Sequence, residues 1–255
     1  KEREIVLEEQ ILTEEEKKQV EEFSRKIQLE HSTSILQYGA GVQKKMADFS
    51  EQTLNRVRTK DMGEVGEMLA SIVTELKGFE LAEEEKGFFG AIRKKAGGLG
   101  KRKIQFAKAE ANVDKICELL ESHQIQLLKD IATMDKMYEV NKNYYKELTM
   151  YILAGKKKLL TVEKEELPKL TDRATLTGKP EDAQTVNDLV NLCSRFEKKI
   201  HDLELTRMIS IQMAPQIRLV QNNDTLMSEK IQTTLVNTIP LWKSQMVLAV
   251  GIDHS

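Results

Sequence analysis

The feature that most constrains this chain is a heptad pattern that runs without a proline from Ile104 to Glu166. One heptad position carries Val113, Leu120, Leu127, Met134, Asn141, Leu148, Gly155 and Val162. The companion position carries Cys117, Gln124, Ile131, Tyr138, Tyr145, Ile152, Leu159 and Glu166. Twelve of these sixteen residues are apolar or aromatic, which is typical of one long helix with a coiled-coil seam. A lone helix of about 60 residues leaves such a seam exposed to water, so it needs a partner.

The following residues supply that partner. Residues 168–182 are rich in Thr, Gly and Pro and predict a turn. A second long helix is indicated by apolar residues in 3-4 spacing: Val186, Leu189, Cys193, Phe196, Ile200, Leu203, Ile209, Met213, Ile217, Val220, Met227, Ile231 and Leu235. Pro215 lies inside this helix and is expected to kink it, because proline removes a hydrogen bond and crowds the preceding turn. Pro240 is expected to start a last helical piece.

The N-terminal residues also favour helices. Residues 1–22 hold nine acids and four bases, and Thr13 with Glu16 forms a capping-box pattern. We expect a helix from there toward Gln37 with a weak point at 39–41, then a helix over 42–59. A shorter helix from Asp61 is expected to end at Gly78.

The chain is therefore expected to be all-α: an elongated antiparallel helical hairpin or coiled coil, with additional helices packed as a bundle at its base. We assign residues 1–78 to those additional helices, 79–103 to a basic Gly-rich linker, and 104–255 to the hairpin. The linker holds five of the thirteen glycines. No strand period is present, and 17 glycines and prolines in 255 residues are too few for an all-β fold.

Charge and composition exclude several functional classes. The net charge of −2 and the pI near 6.2 are not those of a nucleic-acid-binding chain. Two cysteines do not make a disulfide framework and suit a reducing compartment. No apolar run approaches the roughly 18 residues that cross a bilayer. We expect a cytoplasmic protein, with the inner face of the membrane as an alternative location.

No residue set predicts catalysis, a cofactor or a metal. The four histidines are isolated, and His201 with Asp202 and Glu204 is explained by a solvated helix face. Cys117 and Cys193 fall at seam positions, so we favour packing over redox chemistry. The segment 97–101 fails as a phosphate loop, because Arg102 stands where the Mg²⁺-binding hydroxyl is required.

The basic segment 86–108 is the best candidate for a binding site. It contains eight bases and no acid, and it also carries Phe88, Phe89 and Ile92. Three interpretations stay open: a solvated connector, an anion or membrane-surface contact, or pairing with the acids of 80–85 or 1–22. The possible contact residues are Lys94, Lys95, Lys101, Arg102 and Lys103.

The segment 237–251 has the sequence NTIPLWKSQMVLAVG, and its Pro240, Leu241, Trp242 and Lys243 resemble the characteristic stretch of the toxic-anion resistance (TelA-like) family of bacterial proteins. The run YEVNKNYYKEL over 138–148 and the segment around 114–116 are also similar to that family. We interpret 240–243 as structural, with Trp242 as a core anchor beside Leu241. The alternative is a partner surface.

This resemblance implies a soluble bacterial protein linked to resistance to tellurite and similar oxyanions, with no catalytic residues. We therefore expect a non-enzymatic interaction scaffold in a bacterial stress response, with an unidentified protein partner. The alternatives are a peripheral membrane adaptor on an anionic membrane surface and a direct oxyanion-binding protein, both acting through 86–108. No nucleic-acid partner or cofactor is expected, and the oligomeric state stays open.

Overall fold

The computed structural model describes residues 1–59, 63–77 and 98–250, and all regular structure in these ranges is helical. The helices are α1 (Glu2–Glu9), α2 (Glu14–Lys26), α3 (Ser32–Gln37), α4 (Ala40–Thr59), α5 (63–77), α6 (Gly98–Thr161), α7 (Leu167–Thr177), α8 (Pro180–Thr233) and α9 (Ile239–Val250). The all-α prediction is confirmed. In the ranges just given, no helix combines the length and the hydropathy that a membrane span requires.

The long helix α6 has 64 residues, as the heptad pattern predicts. Its first heptad column is buried at all eight positions, from Val113 to Val162. This includes Asn141, which is 3% exposed, and Gly155. The companion column is mostly half-buried, and Glu166 at its end is exposed. One column therefore forms the core contact and the other borders it.

The second long helix, α8, has 54 residues and its own buried heptad column. Each member of that column is at most 1% exposed: Phe196, Leu203, Ser210, Ile217, Asp224 and Ile231. The prediction that Ile209 lies in the seam is wrong, since Ile209 is 37% exposed and Ser210 takes the buried position. Ser210 comes seven residues after Leu203, so the heptad spacing turns it inward. Asn141 on α6 donates a hydrogen bond to the Ser210 carbonyl there.

Both prolines that follow a long helix are preceded by a widened π-helical turn. The segment Val162–Glu166 comes before Pro168, and Thr234–Thr238 comes before Pro240. In each segment the closing amide bonds to the carbonyl five residues earlier, as Leu167 does to Val162. A wider turn relieves the clash between a proline ring and the carbonyl four residues before it. The helical path therefore continues through both prolines, whereas Pro215 lies inside α8 itself.

The chain reverses at Gly178 and Lys179. Gly178 has φ +62°, and its amide donates to the carbonyl of Ala174, which closes α7 with a left-handed cap. Helix α8 then begins at Pro180, where a missing amide hydrogen costs nothing. Along the two long helices the contacts run in opposite directions, since Asn141 bonds to Ser210 while Thr149, later on α6, bonds to Arg207, earlier on α8. The predicted antiparallel hairpin is confirmed.

The chain divides into two compact units. Unit 1 consists of Lys1–Arg56 and Met137–Ile217, and unit 2 of Val57–Lys136 and Arg218–Ser255. Helices α6 and α8 each contribute residues to both units. Most of the predicted linker, 79–97, lies outside the described residues.

In unit 1 the N-terminal helices pack on the hairpin around an aromatic cluster. The Tyr38 hydroxyl donates a hydrogen bond to the carbonyl oxygen of Tyr151 at 2.5 Å. The Tyr38 ring also meets Phe196 edge-on with centroids 5.0 Å apart. Gly39, with φ +68°, lies against Leu203, and a Cβ there would be 2.7 Å from that side chain. A glycine is required at this position for both reasons.

The capping box at Thr13 is confirmed, because its hydroxyl accepts from the Glu16 amide and the Glu16 carboxylate accepts from the Thr13 amide. The prediction of one helix from there to Gln37 is wrong. Helix α2 ends at Lys26, and extended residues follow in which Ile27 and Leu29 are buried while 28 and 30 are exposed. This alternation places two apolar residues in the core, which one continuous helix would not do.

Unit 2 has an apolar core made by α5, the first part of α6, the end of α8 and α9. Its fully buried members include Ile72, Val113, Leu120 and Ile231. The part of this core on α6 was predicted by the first heptad column, which continues along α6 into unit 1. The short helix α5 closes this core with its apolar face.

Gly155 gives a stability test of the hairpin packing in unit 1. A Cβ at Gly155 would lie 2.8 Å from Cδ1 of Ile200 and 3.3 Å from Cζ of Phe196. We predict that Gly155→Ala lowers the free energy of unfolding by up to about 2 kcal/mol, because overpacking of up to about 3 kcal/mol exceeds the helix-propensity gain of about 1 kcal/mol. Urea unfolding followed by circular dichroism measures this change.

Gly41 is the matched control, since it lies in α4 of the same unit and nothing lies within 4 Å of its Cβ direction. Gly41→Ala should leave stability unchanged or raise it slightly. Adding Ile200→Val to Gly155→Ala should recover part of the loss. Equal stability of the two alanine variants would contradict the close packing at Gly155.

Candidate functional site

The most elaborate polar arrangement in unit 1 is a cationic face on the hairpin that the N-terminal helices cover with glutamates. The cations of this cationic face are Lys146, Lys156, Lys157, Lys164 and Arg207. The glutamates that meet them are Glu2, Glu8, Glu9, Glu16 and Glu21. These contacts with the cationic face explain why residues 1–22 carry so many carboxylates.

Arg207 lies at the centre of the cationic face. Its guanidinium bonds to the Glu8 carboxylate at 3.1 Å and to the Thr149 hydroxyl at 3.2 Å, and it stands over the Tyr145 ring at 5.7 Å. Only 13% of the Arg207 side chain is exposed. A cation this buried is stable only when its charge and its N–H groups have partners. Glu8 is therefore a structural counterion of Arg207, and their ion pair differs from a loose pair on the surface.

The lysines of α6 extend the arrangement on both sides. Lys156 lies 3.4 Å from Glu204 and 3.8 Å from Glu8. Lys157 pairs with Glu9 and lies 3.0 Å from Glu21. Burial lowers the pKa of the Lys157 ammonium, but the hydrogen bonds to its two glutamates outweigh burial, so its pKa lies above the ordinary value. This lysine is a fixed positive charge at physiological pH.

A further ion pair anchors α2. Lys146 lies 2.9 Å from Glu16, the same residue that completes the capping box. The hydrogen bond from Lys146 is the main reason that the Glu16 pKa lies below its ordinary value. Glu16 thus stabilises both the start of α2 and its contact with α6.

A cavity of about 220 Å³ lies beside α1 in unit 1. Its lining includes the acids Glu4, Glu163, Glu197 and Glu204, against the two lysines Lys1 and Lys156, with His201 also present. The excess of carboxylates makes it a poor site for an oxyanion. Across the described side chains, no group of three or more His, Cys, Asp or Glu residues is arranged to hold a metal ion.

In unit 2 the motif residues 240–243 divide between core and surface. Trp242 is 3% exposed and stacks on Phe106 with ring centroids 5.7 Å apart. Leu241 is 60% exposed, so the expectation that it shares the buried stripe with Trp242 is wrong. The helix turns by about 100° per residue, which points neighbouring side chains in different directions.

The next residue, Lys243, connects α9 to α6. Its ammonium lies 2.6 Å from the Asp114 carboxylate. This hydrogen bond raises the Lys243 pKa above its ordinary value, although partial burial opposes the rise. The tryptophan and the lysine therefore fix α9 to the first part of α6 by one apolar and one charged contact.

The two thiols are half-buried and lie on the hairpin as the heptad pattern predicts. Burial raises the pKa of both Cys117 and Cys193, and nearby carboxylates raise it further. A raised pKa keeps a thiol protonated and poorly nucleophilic. The surroundings of both thiols fit a packing role.

The predicted contact residues of the basic segment are described only in part. Lys94 and Lys95 lie outside the described residues. Lys101 and Lys103 are exposed and Arg102 is half-buried, all in the first turns of α6. Next to them, Ile104 is 60% exposed. The role of these bases stays a prediction.

The heptad column of α6 includes Asn141, but its pairing with a buried Ser210 on α8 was not predicted. Asn141 donates from Nδ2 to the Ser210 carbonyl at 2.9 Å, and the Ser210 hydroxyl lies 3.1 Å from both oxygens of Asn141. In unit 2, Gln221 donates to the Ile131 carbonyl and to Asp135. The available signal was heptad spacing from Phe196, which places Ser210 and other polar residues in a core column.

Two sequence segments that resemble one bacterial family thus meet in unit 2, at Asp114 and Lys243. The sequence profile described as "Toxic anion resistance protein (TelA)" matches residues 20–255. The chain belongs to this family.

Relatives of known name agree with the TelA assignment. A TelA-like protein of Staphylococcus epidermidis is 36% identical over 245 residues, which cover 94% of this chain and 65% of the relative. A TelA-like protein of Staphylococcus aureus gives the same identity and the same coverage. The chain thus spans 65% of the length of these relatives. No solved structure gives a significant match.

Proposed function

We propose that this TelA-family chain acts as a non-enzymatic interaction scaffold in bacterial resistance to toxic anions such as tellurite. It would work in the cytoplasm by holding a protein partner on the outer surface of its helices. Family membership supports the link to toxic anions. The observation that carries the scaffold role is an exposed apolar patch on α8.

The patch consists of Leu205, Met208 and Ile209 in unit 1. These side chains are 50%, 52% and 37% exposed. Their i, i+3, i+4 spacing places them on one side of α8, facing away from the buried column through Leu203 and Ser210. Clustered exposed apolar side chains mark a surface that a partner can cover, and removing these side chains from water lowers the free energy of the complex.

The patch is opposite in character to the cationic face that α1 and α2 cover. The chain itself neutralises the cationic face through Glu8, Glu9 and Glu16. It leaves the apolar patch in water. This contrast supports a partner contact at the patch.

We predict that Leu205→Glu with Met208→Lys abolishes partner capture in cells and lowers tellurite tolerance, because charges at both positions cannot be buried against an apolar surface. In-cell crosslinking with pull-down and survival on tellurite measure the two effects. The protein should keep its helical circular dichroism spectrum, since both side chains face solvent.

The matched control is Asn191→Glu with Ser194→Lys, which places the same charges at the same three-residue spacing on exposed polar positions of α8. This control should bind and protect as the natural chain does. If the patch variant retains its partner and its tolerance, the patch does not carry the function.

A second candidate is a peripheral membrane adaptor, or a direct oxyanion binder, that uses the start of α6. The observation that favours it is the exposed Ile104 next to exposed Lys101 and Lys103. An apolar side chain among bases suits the surface of an anionic bilayer. The same bases could attract a free oxyanion through charge alone.

Two binding measurements distinguish these roles from the scaffold. The scaffold proposal predicts no flotation with vesicles that contain anionic lipid, and no heat of tellurite binding in calorimetry. An adaptor predicts flotation at low salt that Lys101→Gln, Arg102→Gln and Lys103→Gln together reduce by at least about tenfold, given about 1 kcal/mol per base near such a surface. Flotation of that kind would replace the scaffold proposal with the adaptor.

A further inference from the structure

The contact between α1 and the hairpin in unit 1 has a simple pattern. Four residues of α1 and the turn after it are shielded from water: Ile5 and Leu12 are buried, and Glu8 and Glu9 are half-buried. Ile5, Glu8 and Glu9 lie on one face of α1, and Leu12, in the turn after it, continues their i, i+3, i+4, i+7 spacing. The two outer positions are apolar and 6% exposed, and the two inner positions are acidic. All other residues of this stretch are exposed.

The hairpin matches this pattern with cations at the centre. Glu8 meets Arg207 and Lys156, while Glu9 meets Lys157. Only 13% of the Arg207 side chain and 20% of the Lys156 side chain are exposed. Cations held this deep between two helices require carboxylates in front of them. The groove therefore selects an acidic helix over a neutral one.

The packing of α1 in this groove is incomplete. The cavity of about 220 Å³ remains beside Ile5. Val6 and Leu7 of α1 and Ile11 of the turn after it are 59%, 62% and 55% exposed. A helix that packs better in this groove would therefore displace α1 from it.

From these contacts we infer that the groove between α6 and α8 in unit 1 binds an acidic amphipathic helix of a partner protein with the pattern Ile-x-x-Glu-Glu-x-x-Leu. Helix α1 occupies the groove when the partner is absent. A free oxyanion lacks the apolar anchors that occupy the positions of Ile5 and Leu12. The inference goes beyond the proposed scaffold function, because the groove and the apolar patch are different surfaces.

A fluorescent peptide of residues 1–13 is the probe, and anisotropy measures its binding. The 255-residue chain with Glu8→Gln and Glu9→Gln weakens its own α1 contact and should bind the peptide at least about tenfold more tightly than the unmodified chain. Loss of two charge-assisted hydrogen bonds exceeds the 1.4 kcal/mol that a tenfold change represents. Adding Arg207→Met to that variant should abolish binding.

Two peptide variants with the same change in charge make the matched comparison. The peptide with Glu8→Gln and Glu9→Gln should bind at least about tenfold more weakly. The peptide with Glu2→Gln and Glu4→Gln should bind within about threefold of the original, because exposed ion pairs contribute little. Equal loss in both peptides would mean that only total charge matters and would overturn the inference.

Hydrogen exchange of the unmodified chain gives a readout that does not depend on a folded variant. A saturating excess of the peptide should accelerate exchange of the α1 amides, because α1 leaves the groove. Unchanged exchange, together with no peptide binding to the Glu8→Gln, Glu9→Gln chain, would overturn the inference. So would a dimer of the unmodified chain that these two substitutions dissolve, since the occupant would then be a second copy. Either failure leaves the apolar patch and its own test unaffected.

Discussion

The rest of the structure depends on the burial of one heptad column on α6 against one on α8. A helix of 64 residues cannot hide an apolar stripe from water by itself. Apolar burial alone would tolerate a shift of one heptad, because leucine, isoleucine and valine recur at the same position. The Asn141–Ser210 pair removes that tolerance. A one-heptad slide would place Asn141 beside Leu203 or Ile217 and leave its buried amide unsatisfied, at a cost of about 1–3 kcal/mol. Polar residues inside a heptad column set register in this way.

Once the register is fixed, the outward faces of the two helices decide what the molecule contacts. Arg207 and Lys157 become the cationic face that receives the glutamates of α1 and α2. Leu205 and Met208, on the same helix as Arg207, become an apolar patch in water. Gly155 allows the helices to approach closely at one point. The functional surfaces are therefore consequences of helix phase, and a single insertion in α6 or α8 would rotate them away from their partners.

Heptad spacing was sufficient to predict the all-α class, the length of α6 and the antiparallel hairpin, because these follow from periodicity and from the cost of an exposed apolar stripe. Hydropathy misplaced the α8 column at Ile209, since a satisfied hydrogen bond lets a serine replace an apolar residue in a core. The interruption after Lys26 was missed because it is decided by the tertiary burial of Ile27 and Leu29. The cationic face could not be predicted, because Glu8 and Arg207 are far apart in sequence and no local pattern links them. The TelA resemblance came from residues 240–243, of which Trp242 and Lys243 hold α9 to α6.

Oxidative crosslinking of paired cysteines tests the register most directly. In a chain with Cys117→Ser and Cys193→Ser, which keeps the Asn141–Ser210 pair, Gly155→Cys with Ile200→Cys places two thiols where a Cβ at position 155 would lie 2.9 Å from Cγ1 of Ile200. The control pair, Gly155→Cys with the natural Cys193 in a chain with Cys117→Ser, is displaced by one heptad. The account predicts a rapid intramolecular disulfide in the first pair and none in the second. Crosslinking of the second pair in preference to the first would contradict the register and with it the placement of both functional surfaces.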